Sequence, residues 1–179
     1  SPLQHACVIG DLYLVKILLT VPDIEVNLQS MSHVRDVSVQ DYDGLTALEI
    51  AIRYGHSKIL SLLLSQPNID ANKKSRWRGN PPLVIAAKFN NVRATKLLLA
   101  RENINVNAQT HDEYRINRNL TLAGGRETAL HFACRYNRVE IVKLLLKYPG
   151  ISTNLANWDN KEPVDVTDNQ EIKDLFINH

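Results

Sequence analysis

Apolar residues in this chain fall into paired short stripes, and the pairs recur. From Thr128, a residue suited to an N-cap, Ala129-Leu130-His131-Phe132-Ala133-Cys134 reads as a short helix. Asn137 breaks it, where Gly10 and Gly55 stand in two earlier stretches. Val139, Ile141-Val142 and Leu144-Leu145-Leu146 then form the wide apolar stripe of a second helix. Pro149 stops it, as Pro22 and Pro67 do at the same offset. The same order starts at Ser1, Thr46 and Pro81. The four copies open SPLQHA, TALEIA, PPLVIA and TALHFA, and each reaches an asparagine (Asn27, Asn72, Asn107, Asn154) 26 positions after its start. Self-similarity at a fixed interval marks a stacked repeat, and the interval serves as a ruler. Ile24, Ile69, Ile104 and Ile151 share one mark on it and are expected to anchor each loop to the core.

One pair of short helices cannot bury its apolar face alone, so the pairs must stack on their neighbours. The opening hexapeptides resemble the T-P-L-H-x-A signature of the ankyrin repeat, whose period is about 33 residues. Asp41-x-x-Gly44-x-Thr46 resembles that family's hairpin turn, and a fifth, shortened copy starts at Glu162 (EPVDVTDNQEIKDLF). The resemblance covers essentially the whole chain. The interval to the asparagine is one residue longer than the usual pattern. The resemblance implies an all-α fold, an ankyrin-repeat solenoid of stacked helix-turn-helix pairs with β-hairpin finger loops. It implies a single domain over residues 1–179, with repeats starting near 1, 46, 81, 128 and 162. It implies further that His131 bonds to backbone between repeats, and that the end of each first helix lines a concave groove. Hydroxylation, where the family shows it, would fall on Asn27, Asn72, Asn107 and Asn154.

The ruler breaks at two places. From each asparagine to the next start the distances are 19, 9, 21 and 8 positions. The first and third connections therefore carry insertions, at 28–40 and 108–124. Val37-x-Val39 and Leu120-x-Leu122 alternate as strands do, and Met31, Val34, Tyr114 and Ile116 are apolar enough to pack locally. Insertions in repeat proteins collect on one face, often the binding face, so long fingers reaching a partner are expected, with passive loops as the alternative. Ser1 stands at the first position of a repeat, and Leu3, Val8, Ile9, Val15 and Ile17 look like an interior copy. The expectation is the C-terminal part of a longer protein. Asp165, Asp168, Asn169, Gln170, Glu171, Lys173 and Asp174 decorate the last copy as a polar cap would.

Composition narrows the classes. The chain has 179 residues, 44% of them hydrophobic and 22% charged, with a net charge of +2, so no strong global field selects a partner. Apolar runs are far too short for a membrane span. Two cysteines make no disulfide framework, which favours an intracellular, cytoplasmic setting, with the nucleus an alternative. The ruler aligns Cys134 with Cys7, Ile52 and Ala87, a core position, so the nearby His131 and Cys134 are not read as a catalytic pair. No phosphate loop, zinc-protease or nucleophile-elbow motif occurs, so neither enzymatic activity nor a cofactor is expected. Asp41 and Asp43 belong to a turn rather than to a metal site. Asn119-Leu120-Thr121 matches a glycosylation acceptor that would matter only in a secreted protein.

Two rows remain as a candidate surface. Four residues before each start stand Tyr42, Trp77, Gly124 and Trp158, so both tryptophans and a tyrosine share one exposed mark. At the end of each first helix the pairs are Val8-Ile9, Arg53-Tyr54, Lys88-Phe89 and Arg135-Tyr136, a basic residue followed by an aromatic three times running. Arg78, beside Trp77, and Tyr114, Arg115 and Arg118 in the second insertion complete the candidate partner-binding set. Lys73-Lys74-Ser75-Arg76-Trp77-Arg78 is basic with an interleaved aromatic, but a folded hairpin suits an acidic protein surface better than nucleic acid. The leading function is a scaffold, monomeric on its own, that binds a partner protein or an extended or acidic peptide through groove and fingers. The alternative is a substrate-targeting or regulatory domain of a larger enzyme or secreted bacterial effector. A third reading, the cytosolic arm of a membrane channel, fits poorly with a polar C-terminal cap. On the groove reading, Arg53→Glu with Arg135→Glu should weaken partner binding and leave the melting temperature nearly unchanged.

Overall fold

The computed structural model describes residues 1–29, 44–76, 79–111 and 125–179. Helices come in antiparallel pairs. They are α1 (Pro2–Ile9) with α2 (Leu12–Leu18), α3 (Ala47–Arg53) with α4 (Ser57–Leu64), α5 (Pro82–Lys88) with α6 (Val92–Leu99), and α7 (Ala129–Arg135) with α8 (Val139–Leu146). A 3₁₀ turn (Pro163–Val166) and α9 (Gln170–Ile177) make the shortened last copy. First helices stack on first helices, from α1 through α3, α5 and α7 to the 3₁₀ turn. Second helices form the other layer, from α2 through α4, α6 and α8 to α9. The fold is the all-helical solenoid that the ruler implies.

Each pair is built by the same local chemistry. Ser1, Thr46 and Thr128 cap their helices with a side-chain oxygen that accepts an N–H one turn on. The third copy has Pro81 there and no side-chain cap. Between the helices the chain turns through a left-handed residue: Gly10 (φ 76°), Gly55 (φ 74°), Asn90 (φ 55°) and Asn137 (φ 55°). Glycine and asparagine tolerate that region best. The turn delivers one repeated bond: the N–H groups of Asp11, His56, Asn91 and Arg138 donate to the carbonyls of Ala6, Ala51, Ala86 and Ala133 at 2.8–3.1 Å. The second helices end at Leu18, Leu64, Leu99 and Leu146 whether or not a proline follows. Proline is therefore not what stops them, since the third copy has none at that mark.

One continuous apolar core runs through the stack. Leu48, Leu83 and Leu130 fill it from the first layer, and Leu63, Leu98 and Leu145 from the second. Cys7 and Cys134 are free thiols inside it. Burial pushes both thiols up to about 12, so they are protonated and inert at neutral pH. Of the four isoleucines on one mark, Ile69 and Ile104 are buried, while Ile24 and Ile151 are half-buried against the same core.

The asparagines that end each interval tie the loops together. The Asn27 amide donates to the Asn68 carbonyl at 2.6 Å and its Oδ1 accepts from the Asp70 N–H at 2.9 Å. Asn72 does the same with the Asn103 carbonyl (2.7 Å) and the Asn105 N–H (2.8 Å). Asn107 does so with the Gly150 carbonyl (2.8 Å) and the Ser152 N–H (2.9 Å). Asn154, exposed, makes no such bond among the described residues. No β-strand forms among the described residues. Neighbouring connections are joined there by single backbone bonds, Arg76 N–H to the Gly44 carbonyl (2.9 Å) and Trp158 N–H to the Gly125 carbonyl (3.0 Å). Of the expected fingers at 28–40 and 108–124, only residues 28–29 and 108–111 are among the described residues.

Candidate functional site

The last residue of α1 and the C-caps of α3, α5 and α7 share one mark of the ruler, and the stack brings them into one row. They are Ile9, Tyr54, Phe89 and Tyr136, exposed by 58%, 42%, 44% and 41%. Each side chain leaves its helix where the chain turns. One such side chain at the same mark of each repeat, on a backbone fixed by a bonded turn, makes a regular apolar ladder. Ile9 is as much part of the ladder as the three aromatics.

The basic residues of the row are less free than their sequence suggests. The Arg53 guanidinium lies 5.4 Å from the centre of the Phe89 ring, bridging the second and third repeats. Arg138 lies 5.9 Å from the centre of the Tyr136 ring. Tyr54 stacks on His56, with ring centres 6.1 Å apart. Lys88 is half-buried. Arg135 is committed inward: its Nη2 pairs with Glu127 Oε1. The Glu127 side chain is only 3% exposed and also accepts from the Asn157 amide at 3.4 Å. Burial raises the Glu127 carboxyl above its ordinary range, against the opposing pull of Arg135 and of the bonds it accepts from Arg135 and Asn157. The expectation that Arg135→Glu would spare the melting temperature is therefore corrected. That substitution would set a second carboxylate against a buried one. The partnership was missed because Glu127 lies beyond the N-cap from Arg135, outside any helical spacing. The acidic residue just before the start, where other copies carry Leu45, Asn80 and Lys161, was the available signal.

Trp158 is on an exposed turn, 59% exposed, as its place on the ruler requires. Tyr42, Trp77, Arg78, Tyr114, Arg115 and Arg118 lie outside the described residues. Arg53, Tyr54, Lys88, Phe89, Arg135 and Tyr136 lie at the ends of successive stacked first helices, and Trp158 lies on the connection after α8, next to Asn157, which shares the Glu127 carboxylate with Arg135. His131 is fully buried; its Nε2 is 3.1 Å from the Lys161 carbonyl in the next copy, the inter-repeat bond that the resemblance implied. Burial lowers its basicity, so it is neutral there. Among the described residues no cluster of His, Cys, Asp or Glu could hold a metal ion, and no helix is long and apolar enough to cross a membrane.

Comparison with known proteins agrees with this architecture. The chain matches the family described as Ankyrin repeats (3 copies) over residues 1–75 and 68–157. It is 27% identical over 139 residues to alpha-latrotoxin-Lg1a of Latrodectus geometricus, a match covering 74% of this chain and 9% of that protein. The chain thus spans about a tenth of that relative's length. Among solved structures it is similar to the ankyrin repeat domain of Bcl-3, described as a unique member of the IkappaB protein family. The TM-score is 0.73 at 24% identity, covering 98% of this chain and 66% of that one, a likeness of fold. With matched segments running from Ser1 to Asn157 and the repeat chemistry present in every copy, the chain belongs to the ankyrin repeat family.

Proposed function

We propose that this protein is a binding scaffold that holds a partner protein across the ladder of Ile9, Tyr54, Phe89 and Tyr136. Ankyrin repeats generally mediate protein–protein interaction. The observation that carries the reading to this surface is the ladder itself: an exposed apolar side chain at the same mark of four successive repeats. An extended segment of the partner is the natural occupant, because its side chains can meet successive rungs. Arg53 and Lys88 flank the middle rungs and favour acidic residues beside the apolar ones. Trp158, with Tyr42, Trp77 and Arg78 on the connections and Tyr114, Arg115 and Arg118 in the second insertion, would add further contacts to the partner. The scaffold works as a monomer, without cofactor or chemistry of its own. Its two free cysteines suit the cytoplasm or nucleus.

A random-peptide phage library tests the surface. The wild-type protein should enrich a set of clones that a Tyr54→Ala, Phe89→Ala, Tyr136→Ala variant loses, while the variant keeps its helical circular dichroism. Equal enrichment of the same clones by that variant overturns the placement. A second reading, a targeting or regulatory part of a larger protein, is supported by the match to a much longer relative, of which this stretch occupies 9%.

A further inference from the structure

We propose that Glu49 stands as a neutral carboxylic acid whose Oε1–H donates to the Asn80 carbonyl, clasping the second repeat to the third, and that the clasp opens when the proton leaves. The observation behind it is a buried oxygen with no donor. Glu49 is 0% exposed. Its Oε2 accepts from the Thr46 N–H at 2.6 Å, and its Oε1 is buried with no hydrogen-bond partner.

The same position in two other repeats shows what Oε1 is for. In the first, Gln4 Oε1 accepts from the Ser1 amino group at 2.6 Å, and its Nε2 donates at 2.6 Å to the carbonyl of Leu45, the residue just before the next start. In the fourth, His131 Nδ1 accepts from the Thr128 N–H at 3.2 Å, which leaves the proton on Nε2 to donate at 3.1 Å to the carbonyl of Lys161, again just before the next start. One atom of each side chain accepts from its own N-cap, and the other donates to the following repeat. In the second repeat the residue before the next start is Asn80, whose carbonyl already accepts the Ser75 N–H, as the Lys161 carbonyl accepts that of Asn157. A carboxylate cannot donate; a carboxylic acid can. The third repeat has Val84 at this mark and the N-cap Pro81, which has no N–H to give, so acceptor and donor roles vanish together.

The surroundings agree. Burial raises this carboxyl from the ordinary 4.5 to about 8, outweighing the N–H and hydroxyl of Thr46 and the field of Lys73, which all favour the anion. Of the elements packed on α3, α1 brings His5 and Cys7, α4 brings Lys58 with His56 at its start, and α5 brings Lys88. α3 itself carries Arg53, and the connection before α5 carries Asp70, Lys73, Lys74 and Arg76 among the described residues. The folded carboxyl thus holds a proton that the unfolded chain gives to water between pH 4.5 and 8, so stability is full at the acid side of that window and lost across it. The clasp rests on repeat packing and is independent of the proposed partner.

The variant E49Q supplies Oε1 and Nε2 as Gln4 does, without titrating. In chemical denaturation from pH 5.5 to 9, the wild-type folding constant should fall against that of E49Q by up to about tenfold per pH unit, and level off above the folded value. A ratio constant across that range overturns the proposal. Carboxyl-carbon NMR of the wild type gives a direct second reading. A glutamate signal absent from E49Q should titrate near pH 8, and one that titrates in the ordinary carboxylate range overturns the proposal even if E49Q folds poorly.

Discussion

Replacing Asn72 by alanine removes two bonds at once. Its amide holds the Asn103 carbonyl and its Oδ1 holds the Asn105 N–H, both in the next loop, at 2.7 and 2.8 Å. A net ~0.5–1.5 kcal/mol per hydrogen bond puts the loss at ~1–3 kcal/mol. The lower half of that range is expected, because both partners lie near the surface and can take water instead. For a chain of this length each kcal/mol lowers the melting temperature by about 2–4 °C, so a drop of roughly 2–8 °C follows. The stack supplies its own control. Asn154 is the same residue at the same mark but is exposed and makes no such bond among the described residues, so Asn154→Ala should change stability by less than ~0.5 kcal/mol. Both variants are read by urea denaturation followed by circular dichroism at one pH. If Asn72→Ala is as harmless as Asn154→Ala, the ladder of asparagines contributes nothing, and the loops are held by the core alone.

Two further outcomes follow from burial. Leu98→Ala or Leu145→Ala, both at fully buried positions, should cost ~2–5 kcal/mol, whereas Leu18→Ala, on the same mark but half-buried, should cost clearly less; denaturation midpoints check the ranking. Arg135→Glu should lower stability by more than the ~0–1 kcal/mol of an exposed pair, toward the ~3–5 kcal/mol of a broken buried one, while Arg53→Glu stays near the smaller figure; thermal melts of the two single variants decide it.

The fold was legible because its determinants are local and repeated. Thr46 and Thr128 announce their helices, and the break at Asn137 is a left-handed turn that glycine makes elsewhere. The equivalent Asn90 passed unread, since asparagine is a weaker sign than glycine, although the same bond geometry follows it. The ladder of Tyr54, Phe89 and Tyr136 was legible for the same reason: a C-cap position recurs with the period. What a single line of sequence hides is which charged side chain turns inward. Arg135 and Arg53 occupy one mark, yet one pairs with the buried carboxylate just before its own repeat's start, where the second copy has Leu45, and the other lies over a ring of the next repeat. Glu49 reads as an ordinary capping residue in TALEIA, and only the packed third repeat shows that no water reaches it.

The two thiols make the stack self-reporting. Cys7 lies in the first repeat and Cys134 in the fourth, both sealed and both protonated, so a thiol reagent reaches each only when its own repeat opens. Two labelling rates measured on one molecule would therefore time the fraying of its two halves separately, with no probe added and no residue changed. They would also show whether a bound partner quiets one end or the whole length of the stack.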